Sequence, residues 1–287
     1  LILADIRDAQ RVDEIFADHR PEIVFHAAAL KHLPLLERAP QEAIKTNIGG
    51  TQNVLAAAEK HGVDAFINIS TDKAANPSSV LGLSKRITER VTAEADSRNA
   101  GRYLSVRFGN VLGSRGSMLS VFNSQIARGG PVTVTHPDVT RYFMTIPEAV
   151  LLVLQASVVG RGGEVLILDM GEPIRIADVA DRLIRHSGRQ IEIVYIGLTD
   201  GEKLHEDLLN IGEDGTRPFH PKITHVPAVP LDPLPHLDLV SGDGSAVRMW
   251  LAQLAADGDS GVNEGADSGL IPGIRQGSPA IGQLDAD

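Results

Sequence analysis

The chain has 287 residues, 28 of them Gly and none Cys, with 37 acidic against 27 basic side chains and a net charge of −10. Its 43% hydrophobic content suffices for a sizeable core and excludes wholesale disorder, collagen and coiled coil. The lack of cysteine excludes disulfide frameworks, thiolate zinc sites and a Cys nucleophile, and fits a reducing, cytoplasmic setting.

The opening residues, LILADIRD, show neither a cationic start nor an initiator Met, so no signal peptide is expected and the chain is expected to begin mid-domain. Residues 8–19 carry Val12, Ile15 and Phe16 at helical spacing, residues 22–26 read as a buried strand, and residues 40–61 as a long helix. A second strand at 65–70, a helix at 78–98 and a third strand at 103–108 continue the alternation. Helical crossovers of that length make successive strands parallel and cover them on both faces, so the expected fold class is α/β with a doubly wound parallel sheet.

After Phe108 the rhythm loosens into a Gly-rich passage, a helix candidate at 118–128 and a hairpin-like segment at 131–137. A helix at 147–158, a strand at 164–169, an amphipathic helix at 174–186 and a strand at 191–195 suggest a smaller mixed lobe. The expected organisation is a doubly wound domain over 1–130, a second lobe over 131–230, and an acidic Gly/Asp/Ser-rich tail over 231–287. That tail is expected to be disordered apart from a short helix around Trp250. It holds seven of the ten excess negative charges, so the body is near neutral and, without a basic stripe, a poor nucleic-acid surface. The longest apolar run, 149–159, is interrupted by Gln155 and Ser157 and too short for a membrane span.

The strand at 65–70 ends in Ser70-Thr71-Asp72-Lys73, and ligands of open parallel sheets bind at the carboxyl ends of strands. A hydroxyl, a carboxylate and an amine emerging together can exchange protons with neighbouring atoms of one substrate, with Asp72 as acid and Lys73 as base. Alone, the tetrad also reads as a surface turn in which Asp72 caps the next helix. Leu81 and Lys85, four residues apart, share one helix face toward the same edge, where a Lys can hold a ribose hydroxyl or stand exposed. The small residues Ala27, Ala28 and Ala29 suit either a flat cofactor or plain close packing. Ser114 and Arg115 before a helix favour an anion such as a diphosphate. Arg141 offers a second guanidinium and Glu202 a carboxylate for ribose hydroxyls, though each alone also reads as solvated loop. His26 reads as a hydrogen-bonded core histidine, and the ten His show no metal-binding spacing, so no metal is expected.

Taken in order, ADIRD, VFHAAALKH, TNIGGTQN, STDKAANP, LGLSKR, RFGNVLGSRGS, TRYFM and GEKLHEDLL resemble the extended short-chain dehydrogenase/reductase superfamily. More closely they resemble its CapD-type nucleotide-sugar 4,6-dehydratases of polysaccharide biosynthesis, which act on UDP-N-acetylglucosamine. The resemblance runs from about residue 4 to 229. It implies an NAD cofactor, a UDP-sugar substrate and self-association into a homo-oligomer. It also implies hydride transfer from sugar C4 to NAD, removal of the acidified C5 proton by Lys73, protonation of the departing C6 hydroxyl by Asp72, and return of hydride to C6. Thr71 would hydrogen-bond near the sugar O4. Asp5 would contact adenine, Ala27, Ala28, Ala29 and Ser70 would line the cofactor site, Lys85 would bind the nicotinamide ribose, and Asn47 would support the active-site backbone. Lys31, His32, Asn110, Ser114, Arg115, Arg141 and Glu202 would hold the substrate.

Two departures stand out. Leu81 replaces the superfamily's YxxxK tyrosine and cannot take a proton. The N-terminal strand, GxxGxxG turn and first helix, which cradle the cofactor pyrophosphate, are missing, so the chain as it stands is expected to bind NAD poorly and turn over little. The competing expectations are a UDP-sugar epimerase or 5-epimerising dehydratase of the same superfamily, and a non-catalytic nucleotide-sugar-binding protein.

Overall fold

A computed structural model describes residues 1–114, 116–234 and 243–256. The first helix, α1 (Ala9–His19), starts where the Asp8 side chain accepts from Arg11 N, and it buries Val12 and Phe16. Strand β1 (Ile23–His26) follows, then the short helices α2 (Leu33–Arg38) and α3 (Pro40–Glu42). A π-helical stretch, Ala43–Gly49, runs into α4 (Gly50–Lys60), so the long helix expected over 40–61 is present but locally widened. Strand β2 (Ala65–Ile69) leads through a tight 3-10 turn, Asp72–Ala74, to α5 (Val80–Arg98) and β3 (Arg102–Arg107).

The remaining elements are β4 (Asn110–Val111), α6 (Met118–Ala127), β5 (Val132–Val134), β6 (Thr140–Arg141), β7 (Phe143–Met144), α7 (Ile146–Val159), β8 (Glu164–Leu168), β9 (Ile174–Arg175), α8 (Ile176–Ser187), β10 (Ile193–Tyr195), β11 (Ile223–Pro227) and α9 (Gly244–Ala256). A five-stranded sheet runs in the order β1-β2-β3-β8-β11. Its first four strands are mutually parallel and β11 is antiparallel to β8. Period-two alternation explains why helices cover both faces. In β2, Phe66 packs with Val12, Phe16 and Val54, while Ile67 next to it packs with Leu152, Val153 and Leu166. Tyr103 and Leu104 of β3 divide in the same way.

The structure departs from these expectations at 131–137. The segment at 131–137 is no hairpin, because β5 pairs in parallel with the distant β10, and these strands share a small core with α6 and α8 built on Phe122, Ile126, Val132 and Ile184. Beyond residue 131, β8 and β11 join the main sheet, and α7 lies in the crossover between the parallel strands β3 and β8. The short helix expected around Trp250 is α9, and it packs on α5 through Val247, Leu251 and Ala255. Arg90 of α5 also donates to the carbonyl oxygens of Leu254 and Val229. Of the expected tail, 235–242 and 257–287 lie outside the described residues. Among the described residues no helix is long and apolar enough to cross a membrane.

Candidate active site

The carboxyl ends of β2 and β3 are stapled together where the chain leaves the sheet: Ser70 N donates to Val106 O at 2.7 Å and Asp72 N to Phe108 O at 3.0 Å. This fixes the Thr71-Asp72-Lys73 turn beneath a cavity of about 390 Å³. Thr71 and Lys73 line it, with Ala27, Ala29, Lys31, His32, Ser70, Leu81, Lys85, Asn110 and Ser114, so most of the residues named from sequence converge.

Asp72 sits just behind the wall and is fully buried. Its Oδ1 accepts from Thr71 Oγ1 and from Lys73 Nζ, both at 2.9 Å. Its Oδ2 is buried without a hydrogen-bond partner among the described residues. Two glycines make the packing possible. A Cβ on Gly109 would stand 2.9 Å from Asp72 Oδ2, and one on Gly82 would stand 2.2 Å from the Lys73 carbonyl oxygen. Gly82 lies between Leu81 and Lys85, so α5 can rest directly on the Lys73 backbone.

Lys85 donates from Nζ to Ile69 O at 2.9 Å, at the end of β2. Burial lowers its pKa to about 8, against a smaller opposing effect of Glu89. Asn47 grips the backbone after β1: its Oδ1 accepts from Leu30 N at 2.8 Å, and its Nδ2 donates to Leu30 O and to Ser84 Oγ, each at 3.0 Å. His26 is a core histidine, bonded to Thr51 Oγ1 at 2.9 Å and held near pKa 4 by burial and by Lys85.

Other expected site residues stand apart. Asp5 lies on a separate cavity of about 990 Å³, and its carboxylate is taken by Arg7 at 2.6 Å. Ala28 is exposed, and Ser70, although it lines the cavity, donates its hydroxyl to buried Glu89 at 2.6 Å. Arg141 and Glu202 do not line the cavity either. They pair with each other at 2.9 Å, and Glu202 also accepts from Thr135 at 3.0 Å. Arg115 lies outside the described residues.

Sequence reasoning missed the polar scaffold behind the turn. Arg107, wholly buried, binds Glu89 through Nε at 3.1 Å and Nη2 at 2.8 Å, and Glu213 through Nη1 at 3.0 Å. Asn210 Oδ1 accepts from Asn76 N at 2.6 Å and Lys203 Nζ donates to Ala75 O at 2.9 Å, so residues 199–213 clamp the loop after Lys73. Glu206 is the other omission: its Oε1 lies 3.5 Å from Lys73 Nζ. It sits in the GEKLHEDLL block, from which only Glu202 was singled out.

A mostly parallel sheet wound on both faces, with a Thr-Asp-Lys turn at its carboxyl edge, is a Rossmann-type α/β fold. The model of the polysaccharide biosynthesis protein family matches residues 1–228, and the chain belongs to that family. The chain is 51% identical over 226 residues to the capsular polysaccharide biosynthesis protein CapD of Staphylococcus aureus, covering 77% of this chain and 38% of CapD. It thus spans about two fifths of that relative's length. It is 40% identical over 211 residues to a UDP-glucose 4-epimerase of Rickettsia canadensis, covering 72% of this chain and 61% of the epimerase. In structure it is similar to Pen from Bacillus thuringiensis, with TM-score 0.73 and 32% identity over 88% of this chain and 81% of that one.

Proposed function

We propose that the protein containing this chain is an NAD-dependent nucleotide-sugar 4,6-dehydratase acting on UDP-N-acetylglucosamine or a close relative. The observation that carries this reading is the Asp72–Lys73 pair, 2.9 Å apart, one member buried and the other opening beside Thr71 onto the cavity. Elimination across C5 and C6 needs a base at one carbon and an acid at the hydroxyl of its neighbour, and two adjacent side chains supply both.

Burial works against the charge on Lys73, but the carboxylates of Asp72 and Glu206 outweigh it, so its pKa is raised. At rest Lys73 is therefore an ammonium donating to Asp72. Acting as base at C5 and acid at the C6 hydroxyl requires one proton to pass from Lys73 to Asp72 along that contact, with no net change of charge but against the raised pKa of Lys73. Thr71, already bonded to Asp72, orients the sugar near O4. Leu81 contributes no proton-transfer group, so oxidation at C4 needs another base.

The residues on the cavity suit a nicotinamide cofactor. Ala27 and Ala29 keep one wall free of bulk, and Lys85 presents an amine whose hydrogen bond among the described residues is to Ile69 O. When bound, NAD supplies the acceptor and later the donor of hydride. Lys85 would hold its ribose, and Asn47 keeps the adjoining Leu30 backbone in place. For the diphosphate of the substrate, Ser117 precedes α6 with a buried Oγ that lacks a partner among the described residues, on the same wall as Ser114.

The name of the Rickettsia relative supports a second reading, epimerisation of a UDP-sugar. Proton NMR of UDP-N-acetylglucosamine in D2O separates the two. The chain is incubated alone and preceded by a family N-terminal phosphate-loop segment. A new C6 methyl signal with deuterium at C5 supports dehydration. Inversion at C4 without a methyl signal supports epimerisation. Unchanged substrate on a protein that retains NAD and UDP overturns both in favour of binding alone.

A further inference from the structure

Glu206 is buried, with a side chain only 3% exposed, although it belongs to a loop. Its Oε1 lies 3.5 Å from Lys73 Nζ and 3.7 Å from Arg141 Nε. Its Oε2 is buried without a hydrogen-bond partner among the described residues. Burying a carboxylate is costly unless a cation compensates it, so its position behind Lys73 and Arg141 calls for an explanation beyond packing.

Lys73 is enclosed from three directions. Asp72, beside it in the chain, touches Nζ at 2.9 Å, and Asn110 Oδ1 from β4 stands at 3.5 Å. Glu206 approaches from the 199–213 loop. Arg141, on β6, faces Glu206 from the far side and opposes the charge on Lys73, and it is itself paired with Glu202 at 2.9 Å. Tyr142 faces Asp72 and carries no charge near neutrality, since burial and the neighbouring Glu172 and Asp72 raise its pKa. Glu206 does not line the cavity, so it acts on a substrate only through Lys73.

We propose that Glu206 is a positioning residue that pins Lys73 Nζ against Asp72 and fixes the pH at which Lys73 gives up its proton. The proposal rests on the reading of Lys73 as the acid–base group, and it adds to that reading a carboxylate brought in from a distant part of the chain. Arg141 then has a second contact besides its pairing with Glu202: its Nε lies 3.7 Å from Glu206 Oε1. The removal of a carboxylate from this distance lets a neighbouring amine lose its proton more easily.

The test reads Lys73 directly, without turnover. The chain is labelled at lysine Cε and Nζ and titrated by NMR, with the Lys73 signal assigned by its loss in Lys73→Met. Glu206→Gln, which keeps the shape and removes the charge, should titrate at least about one pH unit lower than wild type. Glu206→Asp, which keeps the charge one methylene further away, should move by less in the same direction, and it serves as the test should the Gln variant not fold. An unmoved Lys73 signal in either folded variant overturns the proposal. If the titration moves but the NMR assay of UDP-N-acetylglucosamine yields no C6 methyl product, the dehydratase reading fails while the control of Lys73 by Glu206 stands.

Discussion

Lys85→Met should make this protein more stable at neutral pH while damaging its site. Lys85 is buried, and its amine is held near pKa 8 against an ordinary 10.5, chiefly by burial. A group whose folded pKa is lowered in this way resists protonation in the fold. Below pH 8 the folded chain must carry a charge that the unfolded chain carries freely. The difference of 2.5 in pKa corresponds to a penalty of about 3 kcal/mol. Methionine has a similar length and no charge. It forfeits the 2.9 Å bond to Ile69 O, which offsets about 1 kcal/mol. The net expectation at pH 7 is a gain of about 2 kcal/mol, read from urea denaturation midpoints at constant slope. The gap should shrink as pH rises from 8 toward 10.5, because wild-type Lys85 then becomes neutral in both states. A variant less stable than wild type at pH 7, or a gap that ignores pH across that window, would refute the reasoning. In the chain preceded by the phosphate-loop segment, the same substitution should weaken retention of NAD, as expected of a residue kept for its chemistry rather than for the fold.

Three further outcomes are expected. Glu213→Gln should lose about 3 kcal/mol at neutral pH, because Arg107 overcomes the effect of burial and holds Glu213 near pKa 2 against 4.5. That contribution is present above pH 4.5 and disappears as pH falls through 2, so the gap between wild type and variant should close over that range in pH-dependent denaturation. Gly82→Ala should destabilise by about 1–3 kcal/mol, since its Cβ would stand 2.2 Å from the Lys73 carbonyl oxygen. It should also displace the Lys73 NMR signal, which a merely local strain in α5 would leave in place. Leu251→Ala should cost about 2–5 kcal/mol in chemical denaturation, because Leu251 of α9 is fully buried against α5. A loss under 1 kcal/mol would mean that α9 is not docked in solution.

The sequence alone was sufficient wherever the deciding forces act between near neighbours in the chain. The run AFINI, apolar but for Asn68 and buried at four of its five positions, reads as an interior strand because both faces of a parallel sheet need apolar cover. Asp8 opens the helix read from residue 8 because a cap acts within one turn. Thr71, Asp72 and Lys73 were legible as a set because they are consecutive at a strand end, and Leu81 and Lys85 because one helical turn aligns them on one wall. Tertiary structure decided everything that joins distant segments. It paired β5 with β10 rather than folding back a hairpin, laid α9 on α5, and left Asp5 on another cavity, bound to Arg7. It also turned Ser70 toward Glu89 and brought Glu206 to 3.5 Å from Lys73. These contacts depend on where loops return after long excursions. The sequence shows which charges exist, but only the folded chain decides which are buried side by side, and there the interaction between charges is strong enough to set which group holds the proton.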